Sequence, residues 1–364
     1  MTSTVYPEDL KTRCVAFIAA LLLVGATATS QASDSVSIDA QGKQPRVSVS
    51  ADGTVHVLYG VGQMMKVRSS HDGGASFDAA IDVGKIDQLM LGMRRGPQLA
   101  SGDGVLVAAG IGAVGDILSW CSNDNGKSWV GPVTINDKPK AAREGLFSLS
   151  AGAKATAWAT WLDLRDGKAQ IYASRTTDGG KKWTSNASIY RSPDGTVCEC
   201  CQPQVAADAG GNVVFMWRNF VSGARDMYSC SSPDGGRTFT KPAKLGSGTW
   251  PLNACPMDGG GIAIAGQVIE TIWRRDGKTF ATTASDQSRE IELAAGKNGA
   301  VAISGKSVLR VWQSGEVIVL NRGDEAVTDI GNGSFPTIAA ISGKDGAAVV
   351  AWEAVDGIRV LAIP

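Results

Sequence analysis

Four of the seven cysteines in this 364-residue chain fall in two short segments. The first is Cys198-Glu199-Cys200-Cys201-Gln202-Pro203 and the second is Asn253-Ala254-Cys255-Pro256-Met257-Asp258. Sulfur at this density supports more than one chemistry. Thiols in an oxidising compartment pair as disulfides. Thiolates joined by a thioether suit a soft metal such as Cu(I), which makes copper the candidate cofactor. Cys198, Cys200, Cys201, Cys255 and Met257 are then the candidate ligands. Cys198 and Cys201 also have Cys-x-x-Cys spacing, although no βαβ pattern accompanies it. The spacing does not match the separated Cys-x2-Cys pairs of zinc sites.

Arginine and carboxylate side chains supply a second set of candidates. Arg218, Arg274 and Arg275 open polar loops directly after Trp217 and Trp273, and Arg94, Arg95, Arg143 and Arg225 map to the same region. Guanidinium groups that face one funnel would hold a carboxylate, sulfate or phosphate in bidentate fashion. Asp258 joins Arg218, Arg274 and Arg275 as a ligand-binding candidate. Asp163 and Glu353 stand in the polar loops after Trp161 and Trp352. The two histidines, His56 in a strand and His71 in a turn, read as structural.

These residues need a scaffold, and a repeat provides it. Ser70-His71-Asp72-Gly73-Gly74-Ala75-Ser76-Phe77 recurs as Ser122–Trp129, Thr176–Trp183 and Ser232–Phe239. The shared form is Ser/Thr-x-Asp-x-Gly-x-x-aromatic. Its aspartates, Asp72, Asp124, Asp178 and Asp234, recur at spacings of 52, 54 and 56 residues. A period near fifty marks a propeller or a related array. Aspartate bonds nearby backbone N–H groups and glycine takes the left-handed position, so the motif reads as a structural turn.

Between turns the chain alternates apolar and polar residues, as in Val55-His56-Val57-Leu58-Tyr59, which is the half-buried strand signal. Inner strands are expected near Pro45, Pro97, Leu146, Pro203, Pro256, Ala300 and Pro336, giving an all-β propeller of seven four-stranded blades. Six blades with one irregular insertion is the alternative count. The last unit shows three strands, so Ser35–Asp39 is expected to supply its outer strand and close the ring. In such a meander the aspartate turns lie at one end. The loops after the tryptophans and both cysteine segments lie at the other. Equivalent positions in adjacent units predict that Cys200 or Cys201 lies close enough to Cys255 to share a bond or a ligand.

Composition limits the partners. Formal net charge is zero, with 35 basic and 35 acidic residues. That excludes the basic face that nucleic acids and anionic membranes require. Lys11 and Arg13 precede an apolar run, Cys14–Val24, followed by small residues. This pattern predicts a signal peptide over residues 1–32 and one mature domain over 33–364, periplasmic or secreted, without a membrane anchor after cleavage. A monomer is expected.

The four turns resemble the Asp-box (BNR) repeats of sialidases, covering residues 45–245 well and the remainder weakly. The cysteine segments, with Trp273-Arg274-Arg275, are similar to a group of exported bacterial sialidase-like proteins. The resemblance implies a propeller fold, and an exo-α-sialidase-type glycoside hydrolase as one candidate function, with Arg218 and Arg274 as carboxylate clamps and Asp163 or Glu353 as the catalytic carboxylates. That family uses three arginines, an early Arg-Ile-Pro motif and a late tyrosine nucleophile. Here Pro45-Arg46-Val47 departs from the motif and no tyrosine follows Tyr228. The sequence therefore points first to a non-hydrolytic binding protein. Its ligand would be a small anion, a carbohydrate or a soft metal at the Cys/Met/Arg-lined face. A protein-interaction propeller with structural disulfides is the further alternative.

Overall fold

The alternating strands fold into seven four-stranded antiparallel sheets, six of them meanders of four consecutive strands. The computed structural model describes residues 35–283 and 286–364. The expected signal peptide over 1–32 lies outside the described residues. The inner strands are Lys43–Val49, Gln98–Gly102, Phe147–Ala151, Gln204–Ala207, Gly261–Ala265, Lys297–Ser304 and Ser334–Ala340. Each adjoins the next, and the seventh adjoins the first, so the sheets close into a ring. The count is seven, not the alternative six. In the fifth blade the inner strand begins at Gly261, five residues beyond Pro256, because Pro256–Gly260 runs as irregular chain.

The last blade contributes Ser334–Ala340, Ala348–Ala354 and Gly357–Ile363, and Val36–Asp39 pairs with Gly357–Ile363 as its outer strand. The edge that the final blade would otherwise expose is thereby covered by the start of the same chain.

The aspartate turns share one hydrogen-bond pattern. In the first, Ser70 Oγ donates to Asp72 Oδ1 at 2.8 Å and accepts from Gly74 N at 2.8 Å, while Ser76 N donates to Asp72 Oδ1 at 2.9 Å. Ser128 N, Lys182 N and Thr238 N donate to Asp124, Asp178 and Asp234 in the same way. The hydroxyls of Ser76, Ser128 and Thr238 and then these backbone donors hold the carboxyls of Asp72 and Asp234 far below the ordinary range and that of Asp124 at about 2. The closing aromatics pack between blades. Phe77 packs against the apolar cluster shared by the first and last blades, and Trp183 donates from Nε1 to Ser119 Oγ in the preceding blade at 3.1 Å.

The core is the set of blade-to-blade seams. Trp161, Trp217, Trp312 and Trp352 end the second strands of their blades and are fully buried, as is Tyr59 in the first. His56 is buried among Ser50, Ser69 and Asn125, bonded through both ring nitrogens. Met65 is fully buried in the first blade's core, where the strand alternation points it inward.

Candidate functional site

The two cysteine segments are the lead-ins to the inner strands of the fourth and fifth blades. Val197 bridges Asn219, Cys198 N donates to Arg218 O at 3.1 Å, and Gln204 begins the inner strand. The neighbouring lead-in comes up against this one at Gly259. A Cβ there would stand 1.8 Å from the Gln202 carbonyl oxygen, so only glycine permits the approach. Cys200 and Cys255 are disulfide-bonded with Cα atoms 6.1 Å apart. The loop they close spans 55 residues of sequence, one whole blade.

Cys198, Cys200 and Cys201 are buried with their sulfurs within 4.8 Å of one another. Cys198 Sγ is 3.3 Å from Cys201 Sγ and 3.7 Å from Cys200 Sγ. Arg225 Nη1 donates to Cys198 Sγ at 3.1 Å. The Cys201 hydrogen bond and the charges of Arg218 and Arg225 draw Cys198 toward its thiolate, against burial. Burial holds Cys201 protonated, well above its usual range. Met257 packs on the cluster. The disulfide removes Cys200 and Cys255 from the expected metal-ligand set, leaving Cys198, Cys201 and Met257 as its sulfur donors.

The proposed clamps and acids are placed differently from the sequence expectation. Arg218 is 1% exposed and serves as an internal clasp. It donates to the carbonyls of Asp258 (3.1 Å), Arg225 (2.8 Å) and Arg274 (2.9 Å), tying the fourth blade to the fifth. It is closed to a ligand because those carbonyls need its donors. Asp258, also 1% exposed, accepts from Gly260 N and Asn298 N and lies 3.8 Å from Arg94. Arg275 forms a two-pronged pair with Glu290 at 2.7 and 2.6 Å, so its fork is filled. Arg274 is half-buried over Trp250, with an Nε that has no partner. It is the one member of the expected clamp set with a donor left unmatched.

The two candidate catalytic carboxylates are structural in their contacts. Asp163 is fully buried, accepting from Trp161 Nε1 at 2.8 Å and from Arg165 Nε at 2.8 Å. Glu353 accepts from Gln44 N at 3.0 Å and pairs with Lys43 at 3.0 Å, holding the irregular start of the first inner strand.

A feature that sequence reasoning missed lies on the ring axis. The inner strands line a channel of about 330 Å³, walled mostly by small residues such as Ser48, Ser101, Ser150, Ala207 and Ala263. Its charged lining residues are Arg46 and Arg94, with no carboxylate among the lining. Arg94 is held by Gln202 Oε1 at 3.2 Å and Gly260 O at 3.0 Å, from a backbone in the left-handed region at φ 63°. Arg46 has a buried Nε without an acceptor, and no hydrogen-bond or ion-pair partner among the described residues. Burial, and then the charge of Arg94, lower its pKa to about 9. The only sequence signal was an arginine on an inner strand that otherwise alternates toward serine and valine.

No protein-family model matches the chain, and no curated protein matches it. Solved structures match its fold. A Hadza microbial sialidase is 12% identical with TM-score 0.52, over 89% of this chain and 66% of that one. An α-L-arabinanase of Penicillium chrysogenum, complexed with arabinobiose, is 14% identical with TM-score 0.52, over 90% and 94%. A catalytically inactive virginiamycin B lyase from Staphylococcus aureus is 12% identical with TM-score 0.55, over 91% and 99%. At these identities the likeness is one of fold, and chemistry must be argued from residues. The chain is a seven-bladed β-propeller, similar in fold to these structures.

Proposed function

We propose that this propeller is a non-hydrolytic binding protein for a small anionic ligand. The ligand would be taken into the central channel by Arg46 and Arg94. The observation that carries the reading is the unpartnered Arg46 guanidinium in a channel with no lining carboxylate, next to Arg94, which has Asp258 at 3.8 Å as its own partner. A buried charge without a partner is unfavourable unless an anion joins it. A carboxylate, sulfate or phosphate supplies that charge and accepts the planar fork of donors. The serines of the channel wall offer further hydrogen bonds.

The contacts of Asp163 and Glu353 and the lack of any tyrosine after Tyr228 speak against the hydrolase alternative. Export to a periplasmic or extracellular compartment is part of the proposal, and it fits a protein with a disulfide.

Titration calorimetry with sulfate, phosphate and N-acetylneuraminate tests the reading, beside a fluorogenic sialoside assay. One charge-assisted interaction is worth about 1.5–3 kcal/mol, so Arg46→Met should weaken anion binding by about ten- to a hundredfold. Unchanged affinity in Arg46→Met would sink the proposal. So would sialoside turnover by the wild-type chain.

A further inference from the structure

The anion reading makes no use of the sulfur cluster. Cys198 and Cys201 are free thiols, both buried, with sulfurs in contact at 3.3 Å. Cys198 also touches, at 3.7 Å, the Cys200 half of the disulfide. The other half belongs to Cys255, an exposed residue. A dithiol out of reach of any large partner thus abuts a disulfide whose far end faces solvent. The thiolate is the attacking species in disulfide exchange. Arg225 donates to Cys198 Sγ, and the Cys201 sulfur lies 3.3 Å from the same atom. Among the described residues, the remaining free thiols, Cys121 and Cys230, receive no hydrogen bond from an arginine. Burial raises Cys121 and pushes Cys230 up to about 12.

We propose that Cys198, Cys201, Cys200 and Cys255 form a thiol–disulfide relay, which carries an electron pair from the buried dithiol to the surface sulfur of Cys255. In the first step the Cys198 thiolate attacks Cys200 Sγ. A Cys198–Cys200 bond forms, the Cys200–Cys255 bond breaks, and the electron pair leaves on Cys255 as a thiolate. In the second step Cys201 gives up its proton and attacks Cys198 Sγ. A Cys198–Cys201 bond forms, and Cys200 departs as a thiolate that takes up a proton. Up to this point one dithiol and one disulfide have exchanged places, and no external oxidant is needed.

The co-reactant is an external disulfide, R–S–S–R. The Cys255 thiolate attacks it and releases one RS⁻. Cys200 then gives up its proton and attacks Cys255 Sγ in the mixed disulfide, which expels the second RS⁻ and restores the Cys200–Cys255 bond. The balance is two cysteine thiols and one external disulfide in, one Cys198–Cys201 disulfide and two external thiols out. An external dithiol drives the same path backwards.

The test uses the full chain with oxidised glutathione as the probe. Samples are quenched with N-ethylmaleimide at intervals, and their disulfides are mapped by peptide mass spectrometry. A transient Cys255–glutathione adduct should appear as the Cys198–Cys201 bond accumulates, and decay as the Cys200–Cys255 bond returns. In Cys255→Ala that bond should form slower by about tenfold or more, because attack on a buried sulfur is limited by access. Cys121→Ala should oxidise at the wild-type rate. Cys201→Ser should accumulate the Cys198–Cys200 bond with Cys255 alkylated. The relay is wrong if the Cys198–Cys201 bond forms equally fast in Cys255→Ala, or if Cys201→Ser keeps only Cys200–Cys255. A metal ion held stoichiometrically by unoxidised Cys198 and Cys201 would equally overturn it. The wild-type time course depends on no variant: absence of the Cys255 adduct overturns the relay even if a variant fails to fold.

Discussion

Replacing Arg218 with methionine separates a structural role from a ligand-binding one. The side chain is 1% exposed and its three nitrogens donate to three backbone carbonyls, those of Asp258, Arg225 and Arg274. Asp258 and Arg274 belong to the next blade and its lead-in, so the guanidinium is a clasp across a seam. Methionine keeps most of the buried volume and removes every donor. Hydrogen bonds from a charged group contribute about 1.5–3 kcal/mol each, but three on one planar group are not additive. Breaking a buried charged contact typically costs about 3–5 kcal/mol, which sets the expected loss near 4 kcal/mol. Unfolding entropy runs at about 2.1 cal/mol/K per residue, or roughly 0.7 kcal/mol/K over some 330 residues. A loss of 4 kcal/mol therefore lowers Tm by about 6 °C. Differential scanning calorimetry reads the shift, and calorimetric titration with sulfate reads binding on the folded protein. A Tm within about 1 °C of wild type would refute the clasp. So would a selective loss of anion binding without destabilisation, which would return Arg218 to the ligand.

The channel, the thiol pair and the turns yield further tests. Arg46 is lowered to about 9, and an anion needs its charged form. Anion affinity should therefore hold between pH 6 and 8 and fall as pH rises through about 9, with Arg46→Met showing no such limb by titration calorimetry. Arg225→Leu removes a positive charge from Cys198 Sγ, so the pH at which Cys198 becomes alkylated by iodoacetamide should move upward. An unmoved profile would place the control of that thiolate elsewhere. Asp124 is depressed to about 2 when folded, so its contribution is present above the ordinary carboxylate range and is lost as pH falls from about 4 toward 2. Asp124→Ala should lower the urea midpoint at pH 5 and narrow its gap from wild type at pH 3.

The sequence carried most of the fold because propeller information is local. The Asp72, Asp124, Asp178 and Asp234 turns recur at a near-constant spacing, and strand alternation has a period of two residues. Both features can be counted without knowing any distant contact. The same counting showed that the last unit lacked a strand and that Val36–Asp39 was free to supply it. It also placed the two cysteine segments at equivalent lead-ins of adjacent blades.

Partner choice within those positions was a tertiary matter. Adjacent Cys200 and Cys201 could not be told apart along the chain, since the outcome turns on which sulfur the Cys198 turn aims across the seam at Cys255. Arg218 and Arg46 are both arginines on or ending a strand, yet one is sheathed in carbonyls and the other stands unpaired over a channel. Alternation assigns a residue to a face of its own sheet. What it meets there is set by the next blade, whose backbone arrives some fifty residues later in the sequence, and only closure of the ring brings the two together.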